Sequence, residues 1–153
     1  MAALGAGVEQ CSQGQGRVRG VGQKGLTRSD HSLDFGNSGT GSRLMMGVVA
    51  GYPIPARFVG DESLSARPMK RVLEPLAKMG ALYDATDGDR MPLVLEGQAD
   101  LRAVTYAPPQ ASAQVKSCLL LAGLNAVGET VIEESRPTRD HSEKMLRGFG
   151  ANV

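Results

Sequence analysis

Tryptophan is absent, and the chain holds only three tyrosines and three phenylalanines to stack bases and two cysteines to staple a fold or bind a soft metal. So few aromatic faces leave little for single-stranded nucleic acid to stack on. The stretch Gly14–Gly25, GQGRVRGVGQKG, superficially resembles a basic, glycine-rich RNA-binding tract, but its Val18 and Val21 fit a short strand and turn equally well. Cys11 and Cys118 are too few and too far apart for a disulfide framework or a metal site, which fits a reducing, cytoplasmic setting. Net charge is nearly missing as well: 17 Lys and Arg against 16 Asp and Glu leave +1. Nothing global therefore draws the chain to nucleic acid or to a membrane, and affinity for an anion has to come from local placement of Arg and Lys. No run approaches the ~18 apolar residues that span a bilayer. The apolar start, Met1–Val8, lacks the basic opening of a signal peptide, so the chain reads as soluble and untargeted.

What is present, 41% hydrophobic residues over 153, suffices for one domain or part of one with a real core. An internal echo organises it: MAALGAGV, LEPLAKMGALY and EKMLRGFGANV each read as the end of a helix, a glycine at the C′ position, an alanine and the start of a strand. The glycines are Gly5, Gly80 and Gly150, which implies a repeating supersecondary unit of roughly 70 residues. Between them the patterns predict a helix over Thr40–Ala50, a strand near Ala56–Val59 and a helix over Pro68–Met79. Strands near Leu82, Leu93 and Val104, a helix over Ser112–Leu124 and a strand over Glu129–Glu133 come next. Val72, Leu73, Leu76 and Met79 form an apolar stripe that keeps the second helix despite Pro75. Val115, Leu119, Leu120, Leu121 and Leu124 make the later helix apolar on most sides and predict deep burial. Asp140 and Glu143 read as a capping box opening a last helix. Alternating helices and hairpin-like strand pairs point to an α/β or α+β fold.

Four runs could carry chemistry. In LDFGNSGTGSRLMM, Leu33–Met46, Gly36, Gly39 and Gly41 let the backbone approach a ligand, while Ser38 or Thr40 caps a helix whose free N–H groups suit an anion. In GDESLSARPM, Gly60–Met69, Arg67 puts a guanidinium beside a helix start, where a solvated loop arginine is the plainer reading. In ASAQVKSCLLLAGLN, Ala111–Asn125, the Ser112 hydroxyl, local N–H groups and the Gln114 amide can converge on an oxyanion, or Ser112 can be an ordinary cap. In RPTRDHSEKMLRGFGANV, Arg136–Val153, Arg139 precedes the capping Asp140. His31 and His141 lack a nearby nucleophile or metal-ligand spacing and read as structural. Arg43, Lys116 and Lys144 could add positive potential, with packing or solvated roles as the default.

In this order and at these separations, the four runs closely resemble the 5-enolpyruvylshikimate-3-phosphate (EPSP) synthase family, in its microbial form related to glyphosate-tolerant enzymes. The resemblance implies part of an inside-out α/β barrel of βαβαββ units: residues 1–30 the end of one unit, 31–110 a second, and 111–153 the end of the second and start of a third. It implies transfer of an enolpyruvyl group from phosphoenolpyruvate to the 5-hydroxyl of shikimate 3-phosphate, without metal or organic cofactor. Asn37, Gly39, Arg67 and Gln114 match positions around phosphoenolpyruvate; Ser112, Ala113, Gln114 and Arg139 match positions around shikimate 3-phosphate. Gly39 stands where glyphosate-tolerant members often carry a bulkier residue, which implies glyphosate as an inhibitor of the whole enzyme. No residue matches the family's acid or base, so the chain is expected to be a piece needing the rest of the enzyme for turnover. Two other readings are a non-catalytic substrate-binding or interaction module and a UDP-N-acetylglucosamine enolpyruvyl transferase relative. The second is disfavoured because the loop Gly60–Ala66 holds no cysteine.

Overall fold

All three Gly-Ala pairs close a helix with the same two hydrogen bonds. Ala6, Ala81 and Ala151 N–H groups donate to the carbonyls of Met1, Leu76 and Leu146, and Gly5, Gly80 and Gly150 donate to those of Ala2, Ala77 and Arg147. This is the Schellman closure, and it needs a positive φ at the glycine: 97°, 113° and 86° respectively. The echo in the sequence is thus a repeated backbone device that turns the chain sharply out of each helix. The computed structural model describes residues 1–22 and 25–153; Gln23 and Lys24, in the glycine-rich tract, lie outside the described residues.

After a 3-10 turn at Ala2–Leu4, β1 (Gly7–Ser12) and β2 (Gln15–Arg19) form an antiparallel hairpin exposed along its whole length. The glycine-rich tract therefore begins as a hairpin. A complete βαβαββ unit comes next. It runs through β3 (Leu33–Asp34), α1 (Gly39–Ala50), β4 (Pro55–Val59), the one-turn α2 (Glu62–Ser65), α3 (Lys70–Met79), β5 (Leu82–Thr86) and β6 (Arg90–Glu96). Its sheet has the order β3-β4-β6-β5, with β3 parallel to β4 and the other neighbours antiparallel. Beyond it, β7 (Thr105–Tyr106) pairs in parallel with β8 (Val131–Ile132) across α4 (Ala113–Gly123), and α5 (His141–Gly148) comes last.

The period of two in β6 sends Met91, Leu93 and Leu95 inward, where they join Ala56 and Phe58 of β4. α1 and α3 cover that face with Met46, Val49, Val72, Leu73, Leu76 and Met79, all fully buried. Each such large apolar side chain contributes on the order of 1.5–3 kcal/mol by leaving water. Pro75 is buried within α3 and costs the helix its bond to the Arg71 carbonyl. Packing of α1 against α4 is closer still: a Cβ built on Gly47 would stand 2.1 Å from the Cys118 carbonyl oxygen, so the two helix backbones touch.

Three expectations need correction. Pro68 lies just ahead of α3 rather than in its first turn. Leu124 is the C-cap of α4 and half exposed, and Leu120 and Leu121 are only partly buried, so the helix is buried all round over Val115–Leu119 but opens to solvent toward its C-terminal end. Asp140 is the N-cap residue of α5 but makes no side-chain cap bond, because its carboxylate pairs with Lys144 at 3.0 Å while that of Glu143 is held by Lys116.

Candidate functional site

The N-termini of α1, α3 and α4 converge, and the polar side chains placed there by sequence are wired to one another. The Ser38 hydroxyl, not Thr40, caps α1 by accepting from the Gly41 N–H at 3.1 Å. Thr40 is thereby free to accept from the Gln114 amide at 2.7 Å, and the Gln114 carbonyl oxygen accepts from Arg43 at 2.7 Å. Arg67 donates to the Asn37 carbonyl oxygen at 2.7 Å and to the Ser63 hydroxyl at 3.0 Å; the Asn37 amide in turn donates to Asp61 at 2.8 Å. Asp61 also caps α2 by accepting from the Leu64 N–H. That cap bond first, then the Asn37 amide and the Arg67 charge, hold its carboxyl below the usual range. Gly39 sits between the two guanidinium groups: a Cβ there would lie 3.2 Å from Arg67 and 3.3 Å from Arg43.

Two cavities meet at this network. One, of about 710 Å³, is lined by Arg43, Arg67, Arg71, Tyr106, Gln110 and Gln114 among others. The other, of about 540 Å³, is lined by Ser112, Ala113, Gln114, Arg139, Thr138 and Arg71 among others. The structure thus gathers Asn37, Gly39, Arg67 and Gln114 about one network and Ser112, Ala113, Gln114 and Arg139 about the second cavity. Ser112 also acts as a plain N-cap, accepting weakly from the Val115 N–H at 3.4 Å. Of the two histidines, His31 is exposed on a loop, whereas His141 lines a small third cavity of about 220 Å³ with Thr40, Gln114 and Arg139.

Arg43 is the residue whose importance sequence reasoning underrated. Its residue is only 5% exposed, its Nε has no hydrogen-bond partner, and burial, followed by the charges of Arg71 and Arg67, pushes its guanidinium down from the ordinary arginine value. A buried cation among cations is unfavourable until an anion joins them. Nothing at position 43 marks this locally, since the burial comes from α4. The one-turn α2 was also missed, although Asp61 three residues ahead of Leu64 is a recognisable cap.

Lys116 is equally buried but fully answered. Its ammonium lies 2.8 Å from Glu134 and 2.7 Å from Glu143, and Thr138 donates to the other Glu134 oxygen. Burial pushes Lys116 down, yet the bonds and charges of the two glutamates outweigh it and the net direction is up. For Glu134 burial pushes up, and Lys116 and Thr138 outweigh it, leaving the carboxyl below its ordinary range. This cluster ties α4 to α5 and to the loop that carries Arg139. Cys118, one turn from Gln114, is fully buried, and that burial pushes its thiol up to about 12, so it stays protonated and inert.

The arrangement is suited to holding two anions side by side with one amide between them. The whole chain, residues 1–153, matches the family model for EPSP synthase (3-phosphoshikimate 1-carboxyvinyltransferase). It is 57% identical over 153 residues to the 3-phosphoshikimate 1-carboxyvinyltransferase of Hyphomonas neptunium, covering all of this chain and 35% of that relative. The corresponding protein of Parvibaculum lavamentivorans is also 57% identical, with 34% of it covered. A solved EPSP synthase from Acinetobacter baumannii superposes with a TM-score of 0.93 at 43% identity, over 99% of this chain and 34% of that one. The chain therefore spans about a third of the length of the relatives it matches. With motifs, α/β fold and full-length family match in agreement, it belongs to the EPSP synthase family.

Proposed function

We propose that this chain forms one wall of an enolpyruvyl transfer site. The 5-hydroxyl of shikimate 3-phosphate adds to the enolpyruvyl carbon of phosphoenolpyruvate, and the tetrahedral intermediate then loses phosphate. In this reading Asn37, Gly39, Arg67 and Gln114 face phosphoenolpyruvate, while Ser112, Ala113, Gln114 and Arg139 face shikimate 3-phosphate. The observation that carries it is the position of Gln114, bonded to Thr40 and Arg43 and lining both cavities. Cations placed before reaction stabilise charge as it develops on the leaving phosphate. Acid and base groups come from the remainder of the enzyme, no metal or organic cofactor is needed, and glyphosate competes for the space beside Gly39. The setting is the cytoplasm; among the described residues no helix is long and apolar enough to cross a membrane. In this reading residues 1–30 end one repeat unit, 31–110 belong to a second, and 111–153 hold the end of the second and the start of a third, although the change of strand partners favours an earlier junction, between Glu96 and Thr105.

The test is complementation. Mixing this chain with the remaining two thirds of a relative is expected to restore phosphate release from phosphoenolpyruvate that depends on shikimate 3-phosphate, and Arg67→Ala is expected to abolish it. A mixture that assembles by size exclusion yet releases no phosphate would count against the reading.

A further inference from the structure

Gln114 is assigned to both ligands because it stands between them, and one other side chain satisfies the same criterion. Arg71, in the first turn of α3, lines the cavity that holds Arg43 and Arg67 and also the cavity that holds Ser112 and Arg139. Its setting is costly without a ligand. The first turn of α3 contains no acidic residue and its N-cap, Met69, offers no side-chain bond, so Lys70 and Arg71 bring positive charge to the positive end of the helix dipole. Glu74, the carboxylate one turn on, pairs with Lys70 at 3.4 Å. Among the described residues, Arg43, Arg67 and Arg71 take part in no ion pair. Behind them the nine-tenths-buried Arg43 keeps an unpartnered Nε on the same cavity wall. Glu74 lines the first cavity too, but three guanidinium groups without an ion pair stand around that space against this one carboxylate, already paired with Lys70, and one of the three is shared by the adjoining space, an arrangement that suits an anionic ligand in each.

Resting on the reading above, we propose that Arg71 is a further binding residue for both phosphorylated carboxylates, placed like Gln114 at the boundary between them. A fork of N–H donors can serve an oxyanion on either side, which a lysine ammonium does less well.

The test is a titration of the chain, monitored by amide-correlation NMR, with phosphoenolpyruvate and separately with shikimate 3-phosphate. Arg71→Gln is expected to weaken both roughly tenfold or more, the size of a lost charge-assisted bond, and Arg71→Lys to recover part of the loss. Because Arg71 is exposed, the spectrum without ligand should keep the wild-type dispersion. Arg71→Gln binding both ligands as tightly as wild type, while Arg139→Gln loses shikimate 3-phosphate, would overturn the role of Arg71 and leave the site reading intact. Wild-type chain that binds neither ligand would overturn both.

Discussion

Arg43 and Lys116 are both buried cations near the N-terminal half of a packed helix, 5% and 6% exposed, yet they are treated in opposite ways. Lys116 has two carboxylates within 2.8 Å and a role that ends inside the protein. Arg43 has one neutral partner, Gln114, two like charges nearby and an idle Nε. A desolvated charge that is answered internally serves the fold; one left unanswered beside a cavity stands ready for a ligand. The difference separates structure from function within one small region.

The largest expected effect breaks the answered side. Lys116→Met leaves Glu134 and Glu143 facing each other, partly buried and uncompensated, and should cost about 3 kcal/mol in urea unfolding. Arg43→Met, the same kind of exchange, should stay within about 1 kcal/mol of wild type, since it removes a desolvated cation from among cations and keeps an apolar stem in place; its loss should fall on anion affinity instead.

Next comes Gly47→Ala. The new methyl collides with the Cys118 backbone, forcing α1 from α4 one turn beyond the Arg43–Gln114 bond, at a cost of about 1–3 kcal/mol in unfolding. Its distinguishing outcome is a combined loss of stability and anion binding, measured by unfolding and titration on the same sample.

The two sides should also separate by pH. Glu134 titrates below its ordinary range in the folded chain, so its stabilisation is present above that range and is lost as pH falls through the folded value. Lys116 is raised, so its share is present at neutral pH and lost only above the ordinary lysine range. Urea midpoints should therefore drop on the acid side, and Glu134→Gln should flatten that limb, whereas Arg43→Met should leave its shape unchanged. The smallest effect is expected from Gly39→Ala. Its methyl asks the Arg67 and Arg43 guanidinium groups to yield by a few tenths of an ångström, which should weaken phosphoenolpyruvate severalfold with no change in the urea midpoint.

Much of this was legible in the sequence, for local reasons. The helix exits at Gly5, Gly80 and Gly150, the stripe of α3 and the span of α4 arise from capping chemistry and periodicity, which act within a few residues. The four motif runs also contain Arg43, Arg67, Ser112, Gln114 and Arg139, but Arg71, Tyr106 and Gln110 of the cavity walls lie outside them. What escaped depends on distant partners. Lys116 meets Glu134 across 18 positions, and that pairing system diverts Glu143 from the capping box that its spacing suggested. Arg43 meets Gln114 across 71 positions and is buried by a helix that its own neighbourhood does not announce. The partner of β7 is β8, not the preceding sheet, a choice that two-residue strands carry no pattern to encode.

The most direct measurement is the urea midpoint of wild type, Lys116→Met and Arg43→Met, each with and without saturating shikimate 3-phosphate and phosphoenolpyruvate. A ligand that binds only the folded chain raises its stability in proportion to affinity. Wild type and Lys116→Met should gain by similar increments from their different starting points, and Arg43→Met should gain little. Equal gains in Arg43→Met and wild type would show that the unanswered arginine is not there for the ligand.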